Sequence, residues 1–497
     1  MDLSLNALVE QLDELFFERS TRAFRAAAGI ERDAAVPAEL PELTRLEAWQ
    51  VVSEVSQSPR VDDAKRSRVV LLRRHVARAF VEAAISGPAA RRDQFLRGQG
   101  FFSAAKTWTC DEARRELPRL ASREGRVALQ ADWSATLQAN ESHAARCLDG
   151  AREAIEALGL DPARFVDELH GRPAAERLAS AEALLRDTAD PHLDLLGYAL
   201  KKLDPLLSPR VGSEHDARRA AFAPWLLESF RREDLGHAVT RCLGDLGLSQ
   251  NAEGRLTVDS EPRPGRDPRP RVFEHRVPDQ VRLLLTPEPG LEAYAGWLST
   301  WGLGLHRANV NRALPFVERR LGDRALLEAV GVVFESFLLE EGWLKRYLRL
   351  TASQAREAAR LAAFRQLHRL RRDAALSSYS AEAMQRGASA NLGDDFRSMV
   401  SRAVAVEVPR GEALFAVDAF GDRLLHLDGV ALAHMVRSVL RERFNEDYWR
   451  NPATGRWLLE LAGRGQREDA VVVSKQLGAS GLELAQAAQV LVAVMGA

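Results

Sequence analysis

The sequence predicts a mainly helical protein of two lobes with one small sheet. At 497 residues the chain exceeds what a single hydrophobic core usually organises. Ala, Leu, Arg and Glu dominate it, and these are strong helix formers. Runs of Val, Ile, Thr and Tyr, the material of strands, are scarce, and the best of them is Val277 to Thr286.

The first element is a helix from Leu3 to about Ala28. Its apolar residues Leu5, Leu8, Leu12, Leu15 and Phe16 recur at spacings of three and four, which marks one buried stripe. Further helices are expected over Glu42–Gln57, Asp62–Ile85, Arg126–Leu158 and Ala174–Leu185, broken at Gly87-Pro88, at Gly159 and at Gly171 to Pro173. Together they predict an N-terminal helical lobe over residues 1–185, with residues 186–497 forming the second. From Asn251 to Arg276 six Gly and Pro residues and clustered arginines predict a loop. The strand follows, closed by Pro287 to Gly290, and then a helix from Leu291 to about Ala313.

Charge and cysteine usage narrow the function classes. Basic and acidic residues number 69 and 70, so the chain has no global field for a polyanion or an anionic bilayer. The arginines of Arg263–Arg276 and of Arg365–Arg372 are expected to be solvated or salt-bridged, and no nucleic acid is expected as a partner. Cys110, Cys147 and Cys242 lie far apart without a CxxC, which fits reduced thiols in a cytoplasm. The N-terminus carries Asp2, Glu10, Asp13 and Glu14 where a signal peptide would be basic and then greasy, and no window suits a membrane span.

The stretch Asp259 to Phe273, the strand, and Leu298-Ser-Thr-Trp-Gly-Leu-Gly-Leu-His-Arg-Ala-Asn-Val310 resemble the core of the oligopeptidase F and thimet family of zinc metallopeptidases. The family's active helix reads LHExGHAxHxANV. GLGLHRANV aligned with GHAxHxANV puts Gly302 on the family glycine and His306 on the histidine after the motif. Ser299 and Leu303 then stand at the two zinc-ligand positions and Thr300 at the catalytic glutamate. An HExxH helix works by holding two imidazoles one turn apart with a carboxylate beside them to deprotonate zinc-bound water. An alkyl group cannot bind zinc, a serine hydroxyl is a weak neutral ligand, and threonine is no base.

Downstream, Arg312 to Glu328 resembles the segment that brings the third ligand, and its Leu321-Gly-Asp register favours Glu328 over Glu335. The family's oxyanion tyrosine has no counterpart between Leu414 and Asp447; His426 is the nearest polar residue, and Tyr448 is expected to be structural. The resemblance thus implies a zincin-like, two-lobed metallopeptidase fold with a small sheet beside the active helix, zinc lost, and a non-catalytic chain. The expected partner is a peptide or protein held in an interlobe cleft, possibly an active paralogue, with His306, Glu328, His426 and the strand's Arg282 as contacts. An active zinc peptidase with an atypical site and a purely structural helical protein are the rival readings. No two of the 11 histidines stand four apart, so no substitute local metal motif exists. His426 and His434 lie two turns apart, too far for one ion. No GxSxG elbow is found, and Cys242 is expected to be a structural thiol.

Overall fold

Helix-forming composition gives a mainly helical molecule, and the computed structural model describes residues 2–31, 38–59, 61–389 and 391–496, with side chains from residue 8. The first helix runs Asp2–Ala27 and buries Leu12, Leu15 and Phe24; Leu5 lies outside the described side chains. Helices Leu46–Gln57 and Ala174–Asp187 stand where the periodicity places them.

Two boundaries in the N-terminal half differ from the sequence reading. The helix Asp63–Gly98 continues through Pro88 instead of stopping at Gly87. Val81, Ile85 and Phe95 on either side of that proline are all buried, so packing holds the helix across the missing N–H donor. The expected Arg126–Leu158 helix is two helices, Arg123–Ala139 and Ser142–Ala157. Asn140 separates them: its amide donates to the Thr136 carbonyl at 2.9 Å, satisfying a helix end.

Five strands form. β1 (Gly100–Ser103) and β2 (Lys106–Thr109) make a hairpin that the sequence reading missed. β3 (Leu256–Asp259), β4 (Arg271–Arg276) and β5 (Gln280–Leu284) make a sheet in the order β3-β5-β4, with β5 parallel to β3 and antiparallel to β4. The expected strand is β5, but the segment read as a loop supplies both of its neighbours. Paired on both sides, β5 has no free edge to which a peptide could add.

The chain divides into two compact units. One comprises Met1–His75, Leu226–Ala359 and Asp428–Ala487, and the other Val76–Trp225, Arg360–Leu427 and Ala488–Ala497. In the first unit one face of the sheet packs on the leading helix through Phe24, Ala27, Ala28, Phe273 and Leu284. The helix Leu291–Ala308, here the Ser299 helix, also packs on this sheet: a β-carbon at Gly304 would stand 2.5 Å from the Leu283 side chain, so only glycine allows the approach. In the second unit the hairpin and its neighbouring helices bury Phe95, Trp108, Leu129 and Trp133. No described helix is long and apolar enough to cross a membrane.

Candidate functional site

The Ser299 helix is buried almost all round, with Leu291, Tyr294, Leu298, Trp301 and Leu305 in the core, and it ends at Ala308 rather than near Ala313. Its main partner is the Glu328 helix, Arg324–Glu335, whose start is fixed by Asp323 accepting from the Ala325 N–H at 2.9 Å. Glycines bring the two together. A β-carbon at Gly302 would lie 2.7 Å from the Phe334 ring, and one at Gly331 would lie 2.8 Å from Ser299 Oγ and 3.2 Å from Leu303 Cγ. Ser299 and Leu303 therefore face the Glu328 helix, and Thr300 is buried. Glu328 is half-buried on the adjacent turn, and its β-carbon packs on Gly429 of the helix Asp422–Phe444, where an added β-carbon would stand 2.5 Å away.

Two hydroxyls, an alkyl group and the Glu328 carboxylate do not supply the three or four nitrogen, sulfur or carboxylate ligands that zinc takes. Among the described residues no group of three or more His, Cys, Asp or Glu side chains is placed to hold an ion. The residues present do not fit the metal, and no catalytic step is assigned through it.

The other predicted contacts occupy varied positions. His306 is 2% exposed, and neither ring nitrogen has a hydrogen-bond partner among the described residues. Burial, reinforced by Arg307 and opposed by Glu274, lowers its pKa to about 3, so the ring is neutral. Arg282 on β5 lies over the Phe24 ring, 4.5 Å from its centroid. His426 belongs to the second unit, with Nε2 4.0 Å from the Asp373 carboxylate. Tyr448 is fully buried and its hydroxyl donates to Glu340 at 3.2 Å, a structural role. Cys242 is sealed in the core, its thiol pushed up to about 12 by burial, which leaves it inert.

Sequence reading missed a cluster in the second unit. Arg218 bridges Glu214 at 2.7 Å and Glu412 at 2.8 Å; Arg372 bonds Glu412 at 2.9 Å and also Glu214. Arg114 and Arg423 add their charge: Glu412 attracts Arg114, but burial and repulsion from Arg218, Arg372 and Arg423 leave it below its ordinary value. Burial would raise the Glu214 carboxyl, yet the two guanidinium groups hold it down at about 2. Arg218 and Arg372 thus share two buried carboxylates, their own side chains 17% exposed, while Arg423 also lies 3.9 Å from the Asp418 carboxylate. Only Arg372 lay in a run that the sequence marked as basic.

A second polar chain in this unit is a helix start. Ser213 Oγ lies 2.9 Å from His215 Nε2, and His215 Nδ1 lies 3.1 Å from Asp216. A serine nucleophile would need that carboxylate to orient the imidazole. Here it is shared, since it also accepts from Arg126 at 3.1 Å and Arg123 at 3.2 Å and from the Ser213 N–H in a capping box.

No family model and no curated protein sequence matches the chain. Solved structures do. The M32 carboxypeptidase from Deinococcus radiodurans R1 superposes with a TM-score of 0.62 at 12% identity, covering 100% of this chain and 99% of that one. A structure described as CHT gives 0.63 at 12% identity, with 98% and 99% covered. BsuCP gives 0.59 at 10% identity, with 99% and 98% covered. The fold is metallopeptidase-like. Two expectations are corrected by these findings. The scaffold matched is that of a carboxypeptidase, not of the oligopeptidase F and thimet enzymes. The expectation of a non-enzyme is contradicted by the likeness to a solved carboxypeptidase over the full length of both chains.

Proposed function

We propose that the chain acts on peptides through their free carboxyl end, as a carboxypeptidase rather than an oligoendopeptidase. The observation that carries this reading is the likeness to an M32 carboxypeptidase over the full length of both chains. The arginine cluster supports it in chemical terms. With Arg423 set beside Asp418, Arg114, Arg218 and Arg372 outnumber Glu214 and Glu412, and one added carboxylate would offset the excess of positive charge. A charge-assisted pair of this kind contributes about 1.5–3 kcal/mol, or roughly 10- to 100-fold in affinity.

The test is to incubate the purified chain with a mixture of short peptides, each in free-acid and carboxy-amidated form, and to follow their masses. Successive loss of C-terminal residues from the free acids, with the amides spared, is the expected result. No shortening, or equal shortening of both forms, would refute the proposal.

A further inference from the structure

We infer that the seam between the Ser299 and Glu328 helices takes no zinc or comparable divalent ion, and that helix packing occupies the place a metal centre would fill. The inference does not rest on the peptide reading, because metal content is measured without substrate.

Two independent observations carry it. The first is donor chemistry. A tetrahedral zinc site needs imidazole, thiolate or carboxylate donors at about 2.0–2.3 Å from the ion. This seam offers the hydroxyls of Ser299 and Thr300, the isobutyl group of Leu303 and, on the facing helix, the carboxylates of Glu328 and Glu335. Even with both hydroxyls counted, the set is two carboxylates and two weak neutral oxygens with no imidazole or thiolate, a poor match for a borderline-soft cation. No three acidic, His or Cys side chains among the described residues converge on one point.

The second is space. Ser299 Oγ and Leu303 Cγ would lie within 3.2 Å of a β-carbon at Gly331, so their side chains sit directly on the opposing backbone. Gly302 meets Phe334 in the same way, and Gly429 meets the Glu328 β-carbon. With Ser299 and Leu303 in place, contacts this close fill the seam where an ion and its ligands would have to stand. Trp301, 5% exposed, adds bulk to the same turn.

Metal analysis of protein produced in zinc-supplemented medium, with a competitive zinc titration, is the direct experiment. The expected content is below about one-tenth of an ion per chain; a stoichiometric ion that is lost on Glu328→Ala overturns the inference. The triple substitution Ser299→His, Thr300→Glu and Leu303→His should bind zinc at least 100-fold more tightly than the parent, and Glu328→Ala in that background should abolish the gain. A folded triple variant that gains no zinc would show that these positions do not converge with Glu328, and would equally overturn the assignment. Circular dichroism establishes whether the triple variant is folded; if it is not, the metal content of the parent chain decides alone.

Discussion

The seam around Ser299 and the cluster around Glu214 are both buried meeting points of helices, yet they are built from opposite materials. At the seam, glycines let backbones touch and the polar atoms are few. In the cluster, guanidinium and carboxylate groups satisfy one another, with Gln130 donating to Glu214 at 3.1 Å. A buried carboxylate is retained only where it is paired, whereas an apolar seam is held by fit. The two regions should therefore fail differently under substitution.

The largest effect is expected at the cluster. Glu214→Gln keeps the shape and removes the anion between Arg218 and Arg372, leaving two buried cations with only Glu412 between them. Breaking one partner of a buried charge network costs about 3–5 kcal/mol. A marked fall in melting temperature should follow, and an unchanged one would mean that solvent already screens the cluster.

At the seam the expected cost is smaller and can be reversed. Gly331→Ala gains helix propensity of about 1 kcal/mol but drives a methyl into Ser299 Oγ, with overpacking of about 1–3 kcal/mol. Adding Ser299→Ala removes the obstructing oxygen and should recover much of the loss. Gly429→Ala meets the Glu328 β-carbon, which no rotamer can move, and should be harder to rescue. Urea denaturation of the single and double variants would show whether the coupling exists; additive effects would argue against contact across the seam.

These contrasts also explain how much was legible in the sequence. Apolar periodicity located the helices, because burial of one face has a fixed period. The Ser299 helix was readable because its apolar pattern runs along one continuous element. β3 and β4 were hidden since each is short and lies among prolines; their partner β5 stabilises them, and pairing leaves no local signature. The arginine cluster was invisible for a related reason. Arg114, Arg218, Arg372 and Glu412 are scattered over the chain, and only the tertiary fold brings them together. A basic run at Arg365–Arg372 was the sole clue, and it could not tell a salt-bridged arginine from a solvated one. Pro88 shows the reverse error, a strong local breaker overridden by packing on either side.

Acid should destabilise both units, and the sign follows from the histidines. His368 in the second unit is pushed down to about 3 by burial and by Arg372, Arg218 and Arg371; His306 and His434 in the first are pushed down to about 3 mainly by burial. In each case the unfolded chain binds a proton near pH 6.5 that the folded chain refuses until about pH 3. Stability is thus full above pH 6.5 and falls through that window as pH drops, by up to about 1.4 kcal/mol per pH unit for each such group. Glu214 acts at lower pH: held at about 2 against an ordinary 4.5, it loses its contribution as pH falls from about 4.5 towards 2. Denaturation midpoints measured from pH 7 to pH 4 should fall in the histidine window, and a flat profile would show that these rings are protonated in the folded state.

His434 offers the smallest effect and the sharpest separation of packing from polarity. It is 1% exposed, its pKa is lowered by burial and further by Arg437, and neither ring nitrogen finds a hydrogen-bond partner among the described residues. A buried polar group without partners carries a desolvation cost of about 1–3 kcal/mol that an apolar side chain of similar size would not. His434→Leu should therefore raise stability at pH 7 by about 1 kcal/mol, after allowance for imperfect fit. Below pH 6 the gain should widen, because the leucine variant has also lost one proton from the acid slope. A loss at neutral pH would mean that the imidazole is satisfied by buried water, in which case its removal costs hydrogen bonds instead of sparing them.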